Sequence, residues 1–233
     1  MQLTVRDVCQ LLKAPESKVQ RWVREGGLPH HRVGGQVRFN RSELLEWATR
    51  KRIEMPAELL AAPQQEAVRQ PGLVEALEAG GVFHGLAATD KASALQAVVG
   101  KMPLPPDVDR GFLLRMLLAR EELQSTGIGE GVAIPHTRNP IVLQVPKPAI
   151  TLCFLAKPVE FDALDGKPVH ALFTLVTAAV PTHLHLLARI AFGLRDAGFK
   201  QAVASQASRE QILTEARRLE GVLTSAAARK ETR

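Results

Sequence analysis

Cysteine is scarce in this chain. The 233 residues contain two, Cys9 and Cys153, far apart and set in apolar patterns. That excludes a disulfide scaffold and a zinc site built on four thiolates. Long hydrophobic runs are missing too: none reaches ten residues, against the roughly 20 needed to cross a bilayer. Met1 is followed by Gln-Leu-Thr-Val-Arg-Asp, with no basic start and no apolar stretch behind it. A secretory signal is therefore not expected, and the chain reads as cytoplasmic without membrane insertion. No segment repeats. What is present is ordinary for a soluble globular protein: 45% apolar and 23% charged residues. The length suits one large domain or two smaller ones.

The net charge of +6 is unevenly placed. Residues 1–52 hold 11 Lys or Arg against 5 Asp or Glu, and residues 53–233 hold 19 of each. A short basic module on a neutral body suggests an anionic partner for the module alone, although a solvated face is the plain alternative. The stretch 53–70 carries Pro56 and Pro63, with Pro71 just beyond, and reads as a linker with a short helical turn around residues 58–61. Residues 224–233 read as a flexible tail.

Within 1–52, Thr4 and Asp7 are spaced to cap a helix. A second helix is expected from Pro15 to about Glu25, burying Val19, Trp22 and Val23 and exposing Ser17, Lys18, Gln20, Arg21 and Arg24. Two short alternating runs, 30–33 and 36–39, flank Gly34-Gly35 and read as a hairpin. Asn40 and Glu43 suit the start of a third helix. Helix, turn, helix, two-stranded wing, helix is a DNA-binding order, with the second helix in the major groove. Lys18, Arg24, Arg32 and Arg38 would then neutralise phosphates, and Gln20 and Arg21 would reach base edges. No metal role is expected for His30 and His31, whose adjacent side chains splay apart with no third ligand nearby in sequence.

Residues 72–226 alternate between helix and strand patterns, which implies an α/β sandwich with helices covering a sheet. Strands are expected at 82–86, 150–156 and 169–177. Helices are expected at 72–80, 90–101, 107–122, 183–198 and 206–219. His170 falls on a strand and reads as a sheet-face residue. His84 has no motif around it, and His185 should face away from His183.

The informative stretch is Ser125-Thr126-Gly127-Ile128-Gly129-Glu130-Gly131-Val132-Ala133-Ile134-Pro135-His136-Thr137-Arg138. Three glycines at alternate positions make sense where the backbone passes close to something. It is not a Walker loop, since no GK[ST] follows. A neutral imidazole is a nucleophile poised near neutral pH. His136 can accept a phosphoryl group if donors hold the new charge, with glycine-exposed amides, Ser125, Thr126, Thr137 and Arg138 as candidates. On the residues alone, a satisfied or merely exposed histidine is an equal alternative.

Both parts resemble known families. Residues 4–47, TVRDVCQLLKAPESKVQRWVREGGLPHHRVGGQVRFNRSELLEW, resemble the excisionase-like branch of the MerR winged-helix superfamily, whose typical duty is DNA binding. Arg120-Glu121 followed by STGIGEGVAIPH closely resembles the phosphorylation site of phosphotransferase-system enzyme IIA domains of the fructose–mannitol and nitrogen-regulatory type (EIIA type 2). FDALDGKPVHALFTLVTAAVPTHLHLLARIA, residues 161–191, resembles a later run of the same family.

That likeness spans about 71–223 and implies a mixed sheet flanked by helices, joined to a small winged helix-turn-helix domain over 1–52. It implies His136 as phosphoryl acceptor, His183 as its neighbour and Arg120 as the charge-stabilising arginine. The phosphoryl donor it implies is an HPr-type carrier, and the acceptor a IIB or regulatory target protein. No cofactor or metal is implied. Many relatives have Gly where this chain has Thr137.

With no IIB or IIC segment in the chain, a DNA-binding regulator phosphorylated on His136, at Nε2 or Nδ1, is expected rather than a sugar permease component. Such a regulator would gain a second DNA half-site by forming a homodimer. A phosphocarrier whose N-terminal module docks a protein is the competing expectation.

Overall fold

A computed structural model describes residues 2–25, 27–33, 36–51, 53, 70–106, 108–137, 145 and 147–231. The chain forms two compact units, 1–67 and 68–233. The linker expected over 53–70, with its turn at 58–61, lies almost wholly outside the described residues, as do the Gly34-Gly35 turn and Arg138.

The first unit runs β1 (Gln2–Leu3), α1 (Val5–Leu11), α2 (Glu16–Arg24), β2 (His31–Val33), β3 (Gln36–Asn40) and α3 (Arg41–Arg50). Thr4 caps α1 through a reciprocal pair: Asp7 N donates to Thr4 Oγ1, and Thr4 N donates to the Asp7 carboxylate. Those hydrogen bonds hold the Asp7 carboxyl below its ordinary range. Between α1 and α2 the chain turns through Lys13 at φ 46. Pro15 serves as N-cap rather than first helical residue. α2 buries Val19 fully, while Trp22 and Val23 are only half-buried. Its C-terminus is wrapped by Gly27 and Leu28, whose amides both donate to the Trp22 carbonyl. β3 lies between β1 and β2, antiparallel to both. Leu3, Val8, Leu12, Val19, Leu28, Phe39, Leu44 and Trp47 make the small core. Trp47 meets Trp22 edge-on at 5.0 Å.

The second unit is a five-stranded mixed sheet covered by helices on both faces. Its elements are α4 (Leu73–Gly80), β4 (Val82–Leu86), α5 (Lys91–Lys101), α6 (Arg110–Leu123), β5 (Gly127–Gly129), β6 (Val132–Ala133), β7 (Ala149–Val159), β8 (Val169–Val176), α7 (Val180–Gly193), α8 (Ala197–Ala204) and α9 (Arg209–Glu231). The strand order is β4-β7-β8-β6-β5. β4–β7 and β6–β8 are parallel, and the other two pairs are antiparallel.

Alternation along the central strands sorts the core into two layers. Ile150, Leu152, Phe154, Ala171, Phe173 and Leu175 pack with α4, α7, α8 and α9. Cys153, Leu155, Leu172 and Val176 pack with α5 and α6. Burial in that second layer pushes the Cys153 thiol up to about 12, so it is an inert core residue.

Asp90, Asp109 and Asp196 accept first-turn amides of α5, α6 and α8. α4 starts at a glycine and borrows its cap: Glu220 of α9 accepts the Val74 amide at 3.1 Å.

Three expectations need correction. The helix expected over 183–198 is two helices, because the chain breaks after Gly193 and Asp196 caps a new one. The last helix runs to Glu231, through most of the stretch expected as a tail. The strand expected to end at 156 continues past Pro158 to Val159, across an irregularity in its pairing with β8.

Candidate functional site

The glycine-spaced segment is a tight hairpin. Gly129, Glu130 and Gly131 all have positive φ, at 92, 57 and 76, a conformation that glycine adopts without penalty. A side chain on Gly127 would come within 2.8 Å of Ala163 Cβ, and one on Gly131 within 2.2 Å of His170 Nδ1. The close approach expected there is therefore to the protein itself. Two amides of the hairpin are spent as well: Gly127 N donates to Ser125 Oγ and Glu130 N to Asp165.

The hairpin delivers His136 to the sheet. Ile134 N donates to the Thr126 carbonyl, Leu175 N donates to the Pro135 carbonyl, and His136 itself bridges to Leu175 in parallel register. Past Val176 the chain turns into α7, whose first turn brings His183 back over the sheet end. The rings of His136 and His183 lie 5.3 Å apart, inclined by 54°. Each residue is 3% exposed. His136 Nδ1 sits 2.7 Å from the Ile134 carbonyl. A carbonyl can only accept, so Nδ1 carries the proton and the lone pair of the neutral ring is on Nε2. His183 Nδ1 lies 3.4 Å from Thr177 Oγ1.

The helix expected from 183 would put His183 at its first residue. The helix begins a turn earlier, at Val180-Pro181, and the His183 amide is already bonded to the Ala179 carbonyl. Its imidazole, not its backbone, is what it offers.

Arg120 lies in the last turn of α6, 6% exposed, with Nη1 donating to the Gln124 carbonyl at 2.7 Å. Ser125 and Thr126 do not hold out hydroxyls for a ligand. Ser125 Oγ donates to the Phe161 carbonyl, and Thr126 donates both its amide and its hydroxyl to Glu121. Thr137 is buried beside His136.

Of the other histidines, His185 is buried and accepts from Arg189 Nε at 3.3 Å. His84 stacks on Phe154 at 4.8 Å and reaches the Ala207 carbonyl. Among the described residues no three His, Cys, Asp or Glu group as metal ligands do.

His170 packs against Gly131, and burial holds its imidazole below the ordinary value of 6.5, partly opposed by a bond to the Val203 backbone. The unfolded chain then binds a proton that the folded chain resists. That stability is fully present above pH 6.5 and is lost as pH falls below it toward the folded value. The urea midpoint of wild type should accordingly drop between pH 7 and pH 5. The slope over that interval should flatten in His170→Gln.

On the basic module, Lys18, Gln20, Arg21 and Arg24 are all exposed along α2. Lys18 Nζ sits 5.2 Å over the Trp22 ring, Gln20 bonds Glu16 at 2.8 Å, and Arg21 lies 4.0 Å from Glu25. Arg38 on β3 is half-buried, and Arg32 lies on β2 opposite Val37.

Sequence comparison places both units in known groups. Residues 75–216 match the family described as phosphoenolpyruvate-dependent sugar phosphotransferase system, EIIA 2, and residues 3–52 match a helix-turn-helix domain. A nitrogen regulatory protein of Pseudomonas aeruginosa is 40% identical over 109 residues, 46% of this chain and 69% of that protein. One from Bradyrhizobium diazoefficiens is 35% identical over 117 residues, 49% of this chain and 74% of that protein. The crystal structure of nitrogen regulatory protein IIA-Ntr from Neisseria meningitidis superposes with a TM-score of 0.51 at 27% identity, covering 58% of this chain and 92% of that one. The chain belongs to the phosphotransferase-system EIIA type-2 family and carries a helix-turn-helix domain ahead of its EIIA domain.

Proposed function

We propose that this protein is a DNA-binding regulator whose EIIA domain, over about 71–223, accepts a phosphoryl group on His136 from a phosphorylated HPr-type carrier. The observation that carries this is the pairing of His136 and His183 at 5.3 Å, with the proton on His136 held at Nδ1 by Ile134. Nε2 attacks the phosphorus in line. The new N–P bond forms as the donor's N–P bond breaks, and the freed electron pair returns to the donor nitrogen. An N–H of His183 and the permanent charge of Arg120 stabilise the equatorial oxygens. A site at 3% exposure keeps water from the phosphorylated ring.

Exposed apolar residues support a protein as donor. Leu123 is 66% exposed three residues after Arg120, and Val180 is 37% exposed three before His183. Leu164, 51% exposed, adjoins the Ala163 that packs on Gly127. A IIB or regulatory target would use the same surface.

For the basic module, Lys18 and Arg24 with Arg32 and Arg38 supply phosphate contacts, and Gln20 and Arg21 the base-edge groups. The contacts of Gln20 and Arg21 with Glu16 and Glu25 are exposed and exchange readily.

Two measurements on the full chain test the proposal. Incubation with the phosphorylated carrier should leave one acid-labile phosphoryl group per chain. Its absence, under conditions that label a nitrogen-regulatory IIA protein, overturns the sensor. Duplex DNA should bind with an affinity that falls steeply with salt, losing about one unit of the log–log slope for each phosphate-contacting cation removed. No binding at low salt overturns the DNA reading and leaves a phosphocarrier with a protein-docking module.

A further inference from the structure

We propose that Glu121 is the positioning residue that holds His136 in its Nδ1-protonated form. The consequence for transfer rests on His136 being the phosphoryl acceptor, but the tautomer itself does not. Glu121 Oε2 accepts the Thr126 amide at 3.0 Å and the Thr126 hydroxyl at 2.6 Å. The Thr126 carbonyl accepts Ile134 N at 3.0 Å, and the Ile134 carbonyl faces His136 Nδ1 at 2.7 Å. The segment 134–136 is thus anchored at two points, by Thr126 at one end and by Leu175 on Pro135 at the other. The Thr126 anchor is in turn fixed to α6 by a side chain.

Stability alone gives little reason to keep a carboxyl group at this position. It sits in the last turn of a helix, where the dipole disfavours negative charge. The residue is 6% exposed, and its second oxygen, Oε1, is buried without a hydrogen-bond partner. An unsatisfied buried oxygen is costly. Among the described residues its hydrogen bonds are the two from Thr126, which pin the strand that presents the Ile134 carbonyl. Without that grip the carbonyl shifts relative to the ring, and the proton redistributes between Nδ1 and Nε2. A molecule protonated on Nε2 has no lone pair to offer the phosphorus.

The test is long-range ¹H–¹⁵N correlation spectroscopy of the full chain with labelled histidine, at a pH where the rings are neutral. The His136 signals are identified by their loss in His136→Gln. Wild type should show the Nδ1-protonated pattern. Glu121→Met, which keeps the length of the side chain and removes the acceptor, and Thr126→Val should each show a mixture of tautomers and accept phosphoryl about tenfold more slowly or worse. Thr126→Ser, which keeps the hydroxyl, should restore both. A wild-type tautomer in folded Glu121→Met and Thr126→Val overturns the proposal. If Glu121→Met does not fold, Thr126→Val decides alone, since it retains the amide bond and removes only the hydroxyl. A tautomer shift in a chain that never takes label would uphold this role and reject the acceptor function.

Discussion

His136→Gln should acquire no acid-labile label from a phosphorylated carrier, while remaining folded. The carboxamide is similar in size to the ring and can still donate to the Ile134 carbonyl, so the strand end that bridges to Leu175 keeps its partners. It has no ring nitrogen able to form an N–P bond, so the loss is complete rather than graded.

His183→Ala should behave differently. It leaves the nucleophile in place and removes one donor to the transferring group, a change that costs on the order of 10²–10³ in rate. Labelling would still reach completion on long incubation. Arg120→Gln should fall in the same range, and its guanidinium also holds the Gln124 carbonyl at 2.7 Å, so part of its effect would appear as a lower unfolding midpoint. The order His136 far below His183 and Arg120, read from single-turnover rates, separates a covalent role from two electrostatic ones. Equal labelling of wild type and His136→Gln would remove the acceptor assignment outright.

Much of this site was legible because its chemistry is local in sequence. Thr126 through His136 lie on one hairpin, and the resemblance that marks His136 is continuous over twelve residues. The capping residue Thr4 was legible for the same reason, as it acts on an amide three residues away.

What escaped the sequence depends on distant chain. Ser125 looks like a phosphate donor until the fold sets the Phe161 carbonyl in front of it. Glu121 reads only as the residue after Arg120 in the motif until α6 ends against the hairpin and its carboxyl meets Thr126. The glycines at 127 and 131 look like room for a ligand until Ala163 and His170 fill it. Asp196 was the readable signal for the break in the 183–198 helix, and Val180-Pro181 for its earlier start, since proline favours the first turn. The parallel pairing of β4 with β7 has no local signature at all.

The largest stability effect should come from a single methyl group far from the chemistry. Gly80 is the last residue of α4, and a Cβ there would lie 2.2 Å from the Ile150 carbonyl oxygen and 2.7 Å from the Thr151 amide nitrogen. These are backbone atoms of β7, an interior strand that pairs with both β4 and β8. No side-chain rotation can relieve the overlap, so α4 must lift from the sheet. That movement would loosen Leu73, Ala76 and Leu77 in the core and draw α4 off the cap supplied by Glu220.

Overpacking typically costs about 1–3 kcal/mol, and a backbone collision belongs at or above the top of that range. For a unit of this size the unfolding midpoint should fall by roughly 6–12 °C. Gly100 is the control: it lies in α5 with no atom within 4 Å of an added Cβ. Gly100→Ala should raise stability by up to ~1 kcal/mol, because alanine loses less backbone freedom on folding than glycine. Opposite signs for the same chemical change, measured by thermal unfolding of the full chain, would establish that α4 sits on β7 at contact distance. A Gly80→Ala midpoint within a degree of wild type would mean that it does not.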